Sequence, residues 1–124
     1  MTTWLVLSLL FFKHVLADFC WQTDRMLRDK GHFWRIGGLQ HAGLHGALTY
    51  VILMHFLGVQ ACAMLAVFDA VVHYSVDWLH RRITVRMTAD SNEFWMWIGF
   101  DQFIHLITYL CIGFVVSILN LEYA

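Results

Sequence analysis

Histidine and aspartate recur in this sequence as pairs whose members are four positions apart. Residues at that spacing share one face of a helix, so both members of a pair would point at the same neighbour. Neutral imidazole and carboxylate groups are ligands for zinc, iron and manganese. The pairs therefore predict a metal site that several helices build together. They are His14 and Asp18, His41 and His45, His73 and Asp77, and Asp101 and His105.

Eight ligands of this kind suit two divalent ions better than one, with zinc expected and iron or manganese as alternatives. In the di-metal carboxylate bundles, such ligands project inward from facing helices. Two metal ions can activate water and polarise a phosphoryl or acyl oxygen. The alternative is a metal-free network of His–Asp hydrogen bonds that holds the helices together or relays protons.

The composition indicates that the helices carrying these pairs cross a membrane. The chain has 124 residues, of which 60% are hydrophobic and 14% charged, and it contains no proline. Soluble domains are typically about 45–50% apolar and about 25% charged. These values exclude a disordered chain and an ordinary soluble enzyme. The net charge of −1 lacks the excess of basic residues typical of a nucleic-acid-binding protein. Three cysteines without metal-ligand spacing are interpreted as apolar fillers.

Hydropathy predicts an all-α, polytopic membrane protein, folded as one transmembrane domain over residues 1–124. Four transmembrane helices are expected. The first covers 4–21, two more share the apolar stretch 39–79 with a turn at 58–60, and the last covers 94–119. Asp90 and Ser91 are candidate N-caps for the last helix, with Glu93 completing a capping box.

The basic residues predict the orientation of these helices. Seven of the eight Lys and Arg residues lie in the loops 22–38 and 80–93. The positive-inside rule places both loops in the cytoplasm, with both termini and the turn near Gly58 on the other side. All four His/Asp pairs then lie one to two helical turns from the cytoplasmic ends, in one layer.

The pairs also repeat along the chain. His14 and His73 are 59 residues apart, and His45 and His105 are 60 apart. The offset predicts two helical hairpins, 4–58 and 60–119, related by a pseudo-two-fold axis along the membrane normal. The ligand layer would lie on that axis.

Asp69 breaks the repeat, because its counterpart in the first hairpin is Leu10. It lies one turn before His73 on the same helix face, and it is the predicted catalytic residue. It would accept the ring N–H of His73 and orient it, or accept a proton. The alternative is a structural ion pair with Lys13, which lies at a similar depth.

Several other polar residues are expected around the site. His32, His55 and His80 are interpreted as loop or interfacial residues. Arg81 and Arg82 are interpreted as topology determinants that can also meet lipid phosphates. The groups predicted to contact substrate or support the ligands are Lys13, Gln22, Asp24 and Gln102.

The segments FKHVLADFCWQTDRM, GLQHAGLHG, HYSVDWLHRR and FDQFIHLITYL resemble the bacterial membrane family catalogued as domain of unknown function 3307. The resemblance covers nearly the whole chain. It implies a small multi-pass protein of the bacterial inner membrane, whose termini would be periplasmic by the positive-inside rule, and it implies no particular activity. A more distant similarity in style, limited to His/Asp-rich membrane helices, is to inner-membrane hydrolases described as metal-dependent and LexA-binding.

The first functional hypothesis is an intramembrane metal-dependent hydrolase that acts at the cytoplasmic side. Membrane lipid, a lipid-linked phosphate or a membrane peptide would be its substrate and partner. The alternatives are a transporter or channel for divalent metal ions or protons, and a di-iron redox enzyme. A heme protein is disfavoured because the carboxylates of the layer would have no role, and a structural protein and a homo-oligomer stay open.

Overall fold

The computed structural model describes the backbone of residues 2–122 and the side chains of residues 2–119. Helix α1 covers Thr2–Val15 and continues as a π-helical turn over Leu16–Cys20. The short helix α2 covers Asp24–Asp29, and the long helices α3, α4 and α5 cover Ile36–Leu53, Val59–Thr84 and Asn92–Glu122. The all-α class is thus confirmed across residues 2–122. The chain ends that were predicted to be periplasmic, residue 1 and residues 123–124, lie outside this described part.

Three helices are long and apolar enough to cross a membrane: Thr2–Cys20, Val59–Thr84 and Asn92–Leu119. Large apolar side chains cover the outside of the molecule, for example Trp4, Met64 and Phe114, which are 75%, 74% and 66% exposed. This distribution is that of a membrane protein. The fourth predicted span corresponds to α3, which has only 18 residues. Its four glycines, two histidines and one glutamine lower its hydropathy, so its crossing stays a prediction.

Helices α1, α3, α4 and α5 form a bundle in which each helix runs antiparallel to the next one along the chain. Helix α3 packs against α4 and α1, and α5 packs against α4 and α1, so that α1 and α4 lie diagonally across the bundle. Gly38 lies against Tyr74 and Gly46 lies against Ala66, so α3 and α4 run in opposite directions. Gly113 lies against Leu7 and Tyr109 lies against Phe11, so α1 and α5 also run in opposite directions. The two hairpins expected from the sequence, α1 with α3 and α4 with α5, lie side by side in the bundle. Their pseudo-two-fold relation stays a prediction.

The interior of the bundle is divided into an apolar half and a polar half. The apolar half contains a buried cluster formed by Val6, Leu7, Leu10, Leu53, Cys62, Tyr109, Ile112 and Val116. The polar half lies nearer the ends where α1 finishes and α5 begins. The whole described interior buries thirteen polar or charged side chains against eleven hydrophobic ones, and the buried His and Asp residues lie in this polar half. Such a polar interior needs internal partners, because lipid offers none.

Short local contacts determine where the helices begin and end. The backbone N–H of Trp21 donates to the carbonyl of Leu16 at 2.9 Å, which closes the π-helical turn. Ser91 caps α5 by accepting from the backbone N–H of Phe94 at 3.2 Å, as predicted. Asp29 at the end of α2 accepts from the backbone N–H of Gly37 at 2.9 Å. This last bond holds the 22–38 loop against the start of α3, next to the polar half.

Candidate metal centre

Six of the eight predicted ligands gather in two overlapping groups. In each group, one ligand atom from every residue lies within 4.8 Å of the others. All members are buried, and His73 belongs to both groups. His14 and Asp101 are outside both groups. The first group is Asp18, His41, His45 and His73, and the second is His73, Asp77 and His105.

The first group converges on one carboxylate oxygen. Oδ1 of Asp18 lies 2.9 Å from Nε2 of His41, 3.1 Å from Nε2 of His45 and 3.6 Å from Nε2 of His73. The Nε2 atoms of His41 and His73 face each other at 3.1 Å. Tetrahedral ligands about 2.0–2.2 Å from a zinc ion are about 3.3–3.6 Å from one another. The observed separations fall near this range, so a cation fits between these four atoms after small shifts.

The second group leaves polar atoms without partners. Nε2 of His105 lies 3.6 Å from Oδ1 of Asp77 and 3.7 Å from Oδ1 of Asp101, distances too long for hydrogen bonds. Both His105 Nε2 and Asp101 Oδ1 are buried without a hydrogen-bond partner in the described structure. Buried polar atoms are nearly always paired, so these two facing atoms mark a place that a cation would complete. Asp101 therefore joins the second group as a candidate ligand.

Both groups reach a cavity through their carboxylates, Asp18 of the first and Asp77 of the second, whereas none of their four histidines lines it. The cavity has a volume of about 390 Å³, and its wall includes carboxylates from three helices, Asp18, Asp77 and Asp101. Catalytic zinc sites keep an open coordination position, and structural sites are closed by protein ligands. The remaining lining residues are Phe19, Gln22, Leu27, Lys30, His80, Arg81, Thr84, Phe94, Ile98 and Gln102.

Lys30 reaches into the layer from the turn that follows α2. Its Nζ lies 2.9 Å from Oδ2 of Asp77, and its side chain is only 13% exposed. From the sequence, Lys30 is predicted only as one of the basic loop residues that determine topology. Its spacing carries no signal of this contact, because the contact depends on α2 folding the loop back over the end of the bundle.

Asp69 is paired with Lys13, and the predicted ion pair is confirmed. Nζ of Lys13 lies 2.6 Å from Oδ2 of Asp69, which also accepts the hydroxyl of Thr49. The expected bond from His73 to Asp69 is not formed, since Nδ1 of His73 has no partner. Lys13 also lies 3.2 Å from Nδ1 of His45. Asp69 therefore contacts the ligand layer through Lys13 and not through His73, and the geometry adds no support for its catalytic role.

His14 is held by hydrogen bonds on both ring nitrogens. Its Nδ1 lies 2.9 Å from the hydroxyl of Tyr109, and its Nε2 lies 3.0 Å from Oε1 of Gln102 and 3.2 Å from Oδ2 of Asp18. In this arrangement His14 orients Asp18 and offers no nitrogen to a metal. Tyr109 and Thr49 were not predicted from the sequence. Each lies four residues after a predicted ligand, so continuing the same spacing along the helix would have found both.

The other predicted contacts divide between the cavity and the surface. Gln22 and Gln102 line the cavity, whereas Asp24 is exposed on α2 and is not among the lining residues. His32 and His55 are exposed. His80 lies closer to the site than expected, because its Nδ1 is 3.6 Å from Oδ1 of Asp101.

The buried charges of the layer do not balance on their own. The carboxylates of Asp18, Asp69, Asp77 and Asp101 face the ammonium groups of only Lys13 and Lys30. With neutral imidazoles this leaves two negative charges inside a membrane bundle, which is energetically costly. One divalent cation, or two protonated histidines, would balance them.

Fold and site together define a helical membrane protein with a buried His/Asp cluster that could hold a metal ion. The family described as "Protein of unknown function (DUF3307)" matches residues 6–124, and the chain belongs to that family. The family resemblance inferred from the sequence is thereby confirmed. Comparison with curated proteins and with solved structures gives no match.

Proposed function

We propose that the protein is a metal-dependent hydrolase that acts on an amphiphilic substrate at the cytoplasmic side of the bacterial inner membrane. One observation carries this proposal: a buried cluster of His and Asp ligands opens on one side to a cavity of about 390 Å³. The same cavity has apolar walls from Phe19, Leu27, Phe94 and Ile98. A substrate with an apolar part and a polar scissile group would match both surfaces.

Two sets of residues would hold the metal. Asp18, His41, His45 and His73 form one set, called the enclosed set because its three histidines do not line the cavity. Asp77, Asp101 and His105 form the other, called the cavity-facing set because its two carboxylates line the cavity. His73 can give its Nε2 lone pair to only one ion, and we assign it to the enclosed set. A bound zinc, iron or manganese ion would supply Lewis acidity and would activate water at neutral pH.

The chain's own groups complete the cavity-facing set. Lys30 occupies Oδ2 of Asp77, which leaves Oδ1 of that carboxylate directed toward His105. The side-chain amide of Gln22 donates to the backbone carbonyl of Asp18 at 2.9 Å, and its buried Oε1 has no partner. Gln22 lines the cavity, so this oxygen would accept a hydrogen bond from a substrate or water molecule that reaches it.

The transport hypothesis receives less support from the structure. A conducting path needs polar groups along its whole length. The half of the interior away from the loops is filled instead by Val6, Leu10, Leu53, Ile112 and Val116, all fully buried. For the redox hypothesis, the same ligands would accept iron, and the absorption spectrum of the purified protein distinguishes iron from zinc.

The proposed topology has α3 as a fourth membrane span and the loops 22–38 and 80–93 in the cytoplasm. Helix α3 packs along α4 and also contacts α1, which supports its place inside the bundle. Buried His41 and His45 face other helices, so the polar groups of α3 need not meet lipid.

The test combines metal content with hydrolysis in detergent-purified protein. We expect one to two ions per chain, and metal-dependent hydrolysis of bis(4-nitrophenyl) phosphate or 4-nitrophenyl butyrate in micelles. His41→Ala should lower metal content, and Asp101→Asn should abolish hydrolysis while most of the enclosed ion is retained. The matched control is His55→Ala, which alters an exposed histidine at the opposite end of α3.

Purified protein without bound metal after incubation with zinc, iron and manganese would contradict the metal centre. The hydrogen-bond network would then be the simpler explanation. Metal without hydrolysis of either probe would contradict the enzymatic part alone, and equal metal content in His41→Ala and His55→Ala would contradict the ligand assignment.

A further inference from the structure

A second depression, distinct from the metal cavity, is lined by three arginines. It has a volume of about 300 Å³ and lies between the turn after α2 and the end of α4. No acidic residue lines it. Its lining residues are Arg28, Gly31, His32, Arg81, Arg82 and Val85.

The arginines of this depression lack acidic partners. Arg25 is paired with Asp29 at 3.9 Å, whereas the three lining arginines form no salt bridge with any carboxylate in the described part of the chain. Three uncompensated guanidinium groups around one concavity attract an anion, and their planar N–H pairs match the oxygens of a phosphate. The depression is therefore suited to a phosphate group more than to any cationic or neutral ligand.

Two contacts hold these side chains in place. A Cβ at Gly31 would lie 2.9 Å from Cγ of Arg81, so the absence of a side chain there lets the turn pack onto the Arg81 stem. The guanidinium of Arg82 lies 5.5 Å from the centre of the Trp78 ring, a cation–π distance. Arg81 and Arg82 are thus positioned by packing, although both are exposed.

Arg81 also lines the cavity that contains Asp77 and Asp101, so the two concavities are neighbours. Exposed apolar side chains adjoin them. Val85, 63% exposed, lines the depression, and Leu27, 46% exposed, lines the cavity. Phe33, 57% exposed, packs on Trp78, which Arg82 contacts. A free phosphate ion would not contact these apolar side chains, whereas the acyl chains of a lipid would cover them.

We propose that this depression binds the phosphate group of an anionic phospholipid, and that a phosphate-bearing lipid is the substrate class presented to the adjoining cavity. As a binding site, the depression stands independently of the metal. As an assignment of substrate class, it rests on the proposed function.

The test measures lipid binding by the metal-free protein, with EDTA present, so that failure of the metal centre does not affect it. Dihexanoyl phosphatidic acid, dihexanoyl phosphatidylcholine and inorganic phosphate are titrated separately into protein in maltoside micelles. The rise of the unfolding temperature with ligand gives apparent dissociation constants. We expect the phosphatidic acid to bind at least about tenfold more tightly than either comparison ligand, because it alone combines a net-anionic phosphate with acyl chains.

The matched variants remove two positive charges each. Arg28→Gln with Arg82→Gln should weaken binding of the phosphatidic acid about tenfold or more, since each lost guanidinium removes charge-assisted hydrogen bonds. Arg35→Gln with Arg86→Gln removes exposed arginines of the same two loops that do not line the depression, and should change binding by less than about threefold.

Equal weakening in both double variants would overturn the site, because general charge attraction would then account for binding. Equal affinity for inorganic phosphate and the phosphatidic acid would overturn the lipid assignment, and equal affinity for phosphatidylcholine would overturn the preference for an anionic headgroup. Because the substituted arginines are exposed, both variants should fold; their unfolding temperatures without ligand check this.

Discussion

At the scale of single residues, Lys13 decides how His45 can act. Its ammonium group is a donor only, and it lies 3.2 Å from both Nδ1 and the carbonyl oxygen of His45. If Nδ1 accepts from Lys13, the ring proton lies on Nε2 and points at Asp18. Metal binding through Nε2 then requires Lys13 to turn toward Asp69 and the His45 carbonyl, so that the proton can move to Nδ1.

The first prediction concerns this ion pair. Asp69→Leu alone leaves Lys13 buried without its partner, and removing one member of a buried pair costs about 3–5 kcal/mol. We expect a large fall in the unfolding temperature and in metal content. The double change Asp69→Leu with Lys13→Leu should recover most of both, because it leaves neither charge unpaired. The measurements are the thermal midpoint and the metal content of the two variants.

A double variant with full stability and no metal would show that the pair does more than balance charge, since Lys13 or Asp69 would then be needed to orient His45. A single variant as stable as the parent would show that the 2.6 Å contact contributes nothing.

The candidate ligands could be predicted from the sequence because spacing along a helix determines which side chains share a face. Asp18, His41, His45, His73, Asp77 and His105 meet in the structure as that rule requires. Spacing could not show the hydrogen bonds that occupy both nitrogens of His14, nor the contact of Lys30 with Asp77, because these depend on side chains from other elements.

At the scale of elements, the polar layer depends on how closely α3 approaches α4. A Cβ at Gly46 would lie 2.9 Å from the backbone oxygen of Ala66 and 3.0 Å from Cβ of Ala70. Gly46 precedes Thr49 by three residues and follows His45 directly, so any separation of the helices there would disturb the first group. Gly43 on the same helix has open space around it.

The second prediction uses these two glycines as a matched pair. Gly46→Ala should lower the unfolding temperature and metal content, because the added methyl group meets backbone that cannot move without separating α3 from α4. Gly43→Ala should be neutral or stabilising by about 0.5–1 kcal/mol, the usual gain for alanine over glycine inside a helix. Thermal unfolding and metal analysis of both variants measure this.

If both substitutions stabilise the protein equally, the close α3–α4 contact does not constrain the site. If both destabilise it, α3 has a second packed face, and the open surroundings of Gly43 in the single chain would then be covered in an oligomer.

The helices themselves were predictable from hydropathy, but two local features were not. The sequence gives no sign that α1 ends in a π-helical turn, which widens the turn around Asp18. Helix α2 was expected to be loop, because six residues are too few for a periodic pattern. Its cap at Thr23, which accepts from the backbone N–H of Met26 at 3.3 Å, is the one local signal that could have indicated it.

At the scale of the whole molecule, the interior is polar toward one end of the bundle and apolar toward the other, so the two ends are not equivalent. The polar half lies at the end that carries α2 and the two basic loops. A polar interior near one membrane surface can exchange substrate and water with that side only, since the apolar half separates it from the other. The position of the loops would therefore determine which compartment supplies the substrate of the proposed hydrolase.

The last prediction tests this orientation together with the membrane crossing of α3. In a variant whose native cysteines Cys20, Cys62 and Cys111 are replaced by serine or alanine, single cysteines are introduced at the exposed positions His32, His55 and Asp90. His55→Cys should react with a membrane-impermeant maleimide in intact spheroplasts. His32→Cys and Asp90→Cys should react only after the membrane is opened, because the positive-inside rule predicts that their loops lie in the cytoplasm.

The three positions test separately whether the whole bundle is inverted and whether α3 crosses the membrane. His55 and Asp90 lie on either side of α4, so reversal of both would mean that the whole bundle is inverted and that the cavity faces the periplasm. His32 and His55 lie on either side of α3, so equal labelling of these two would mean that α3 does not cross. In that case His41 and His45 would have to enter the polar layer from a helix that begins and ends at one surface, and the predicted pair of related hairpins would be wrong.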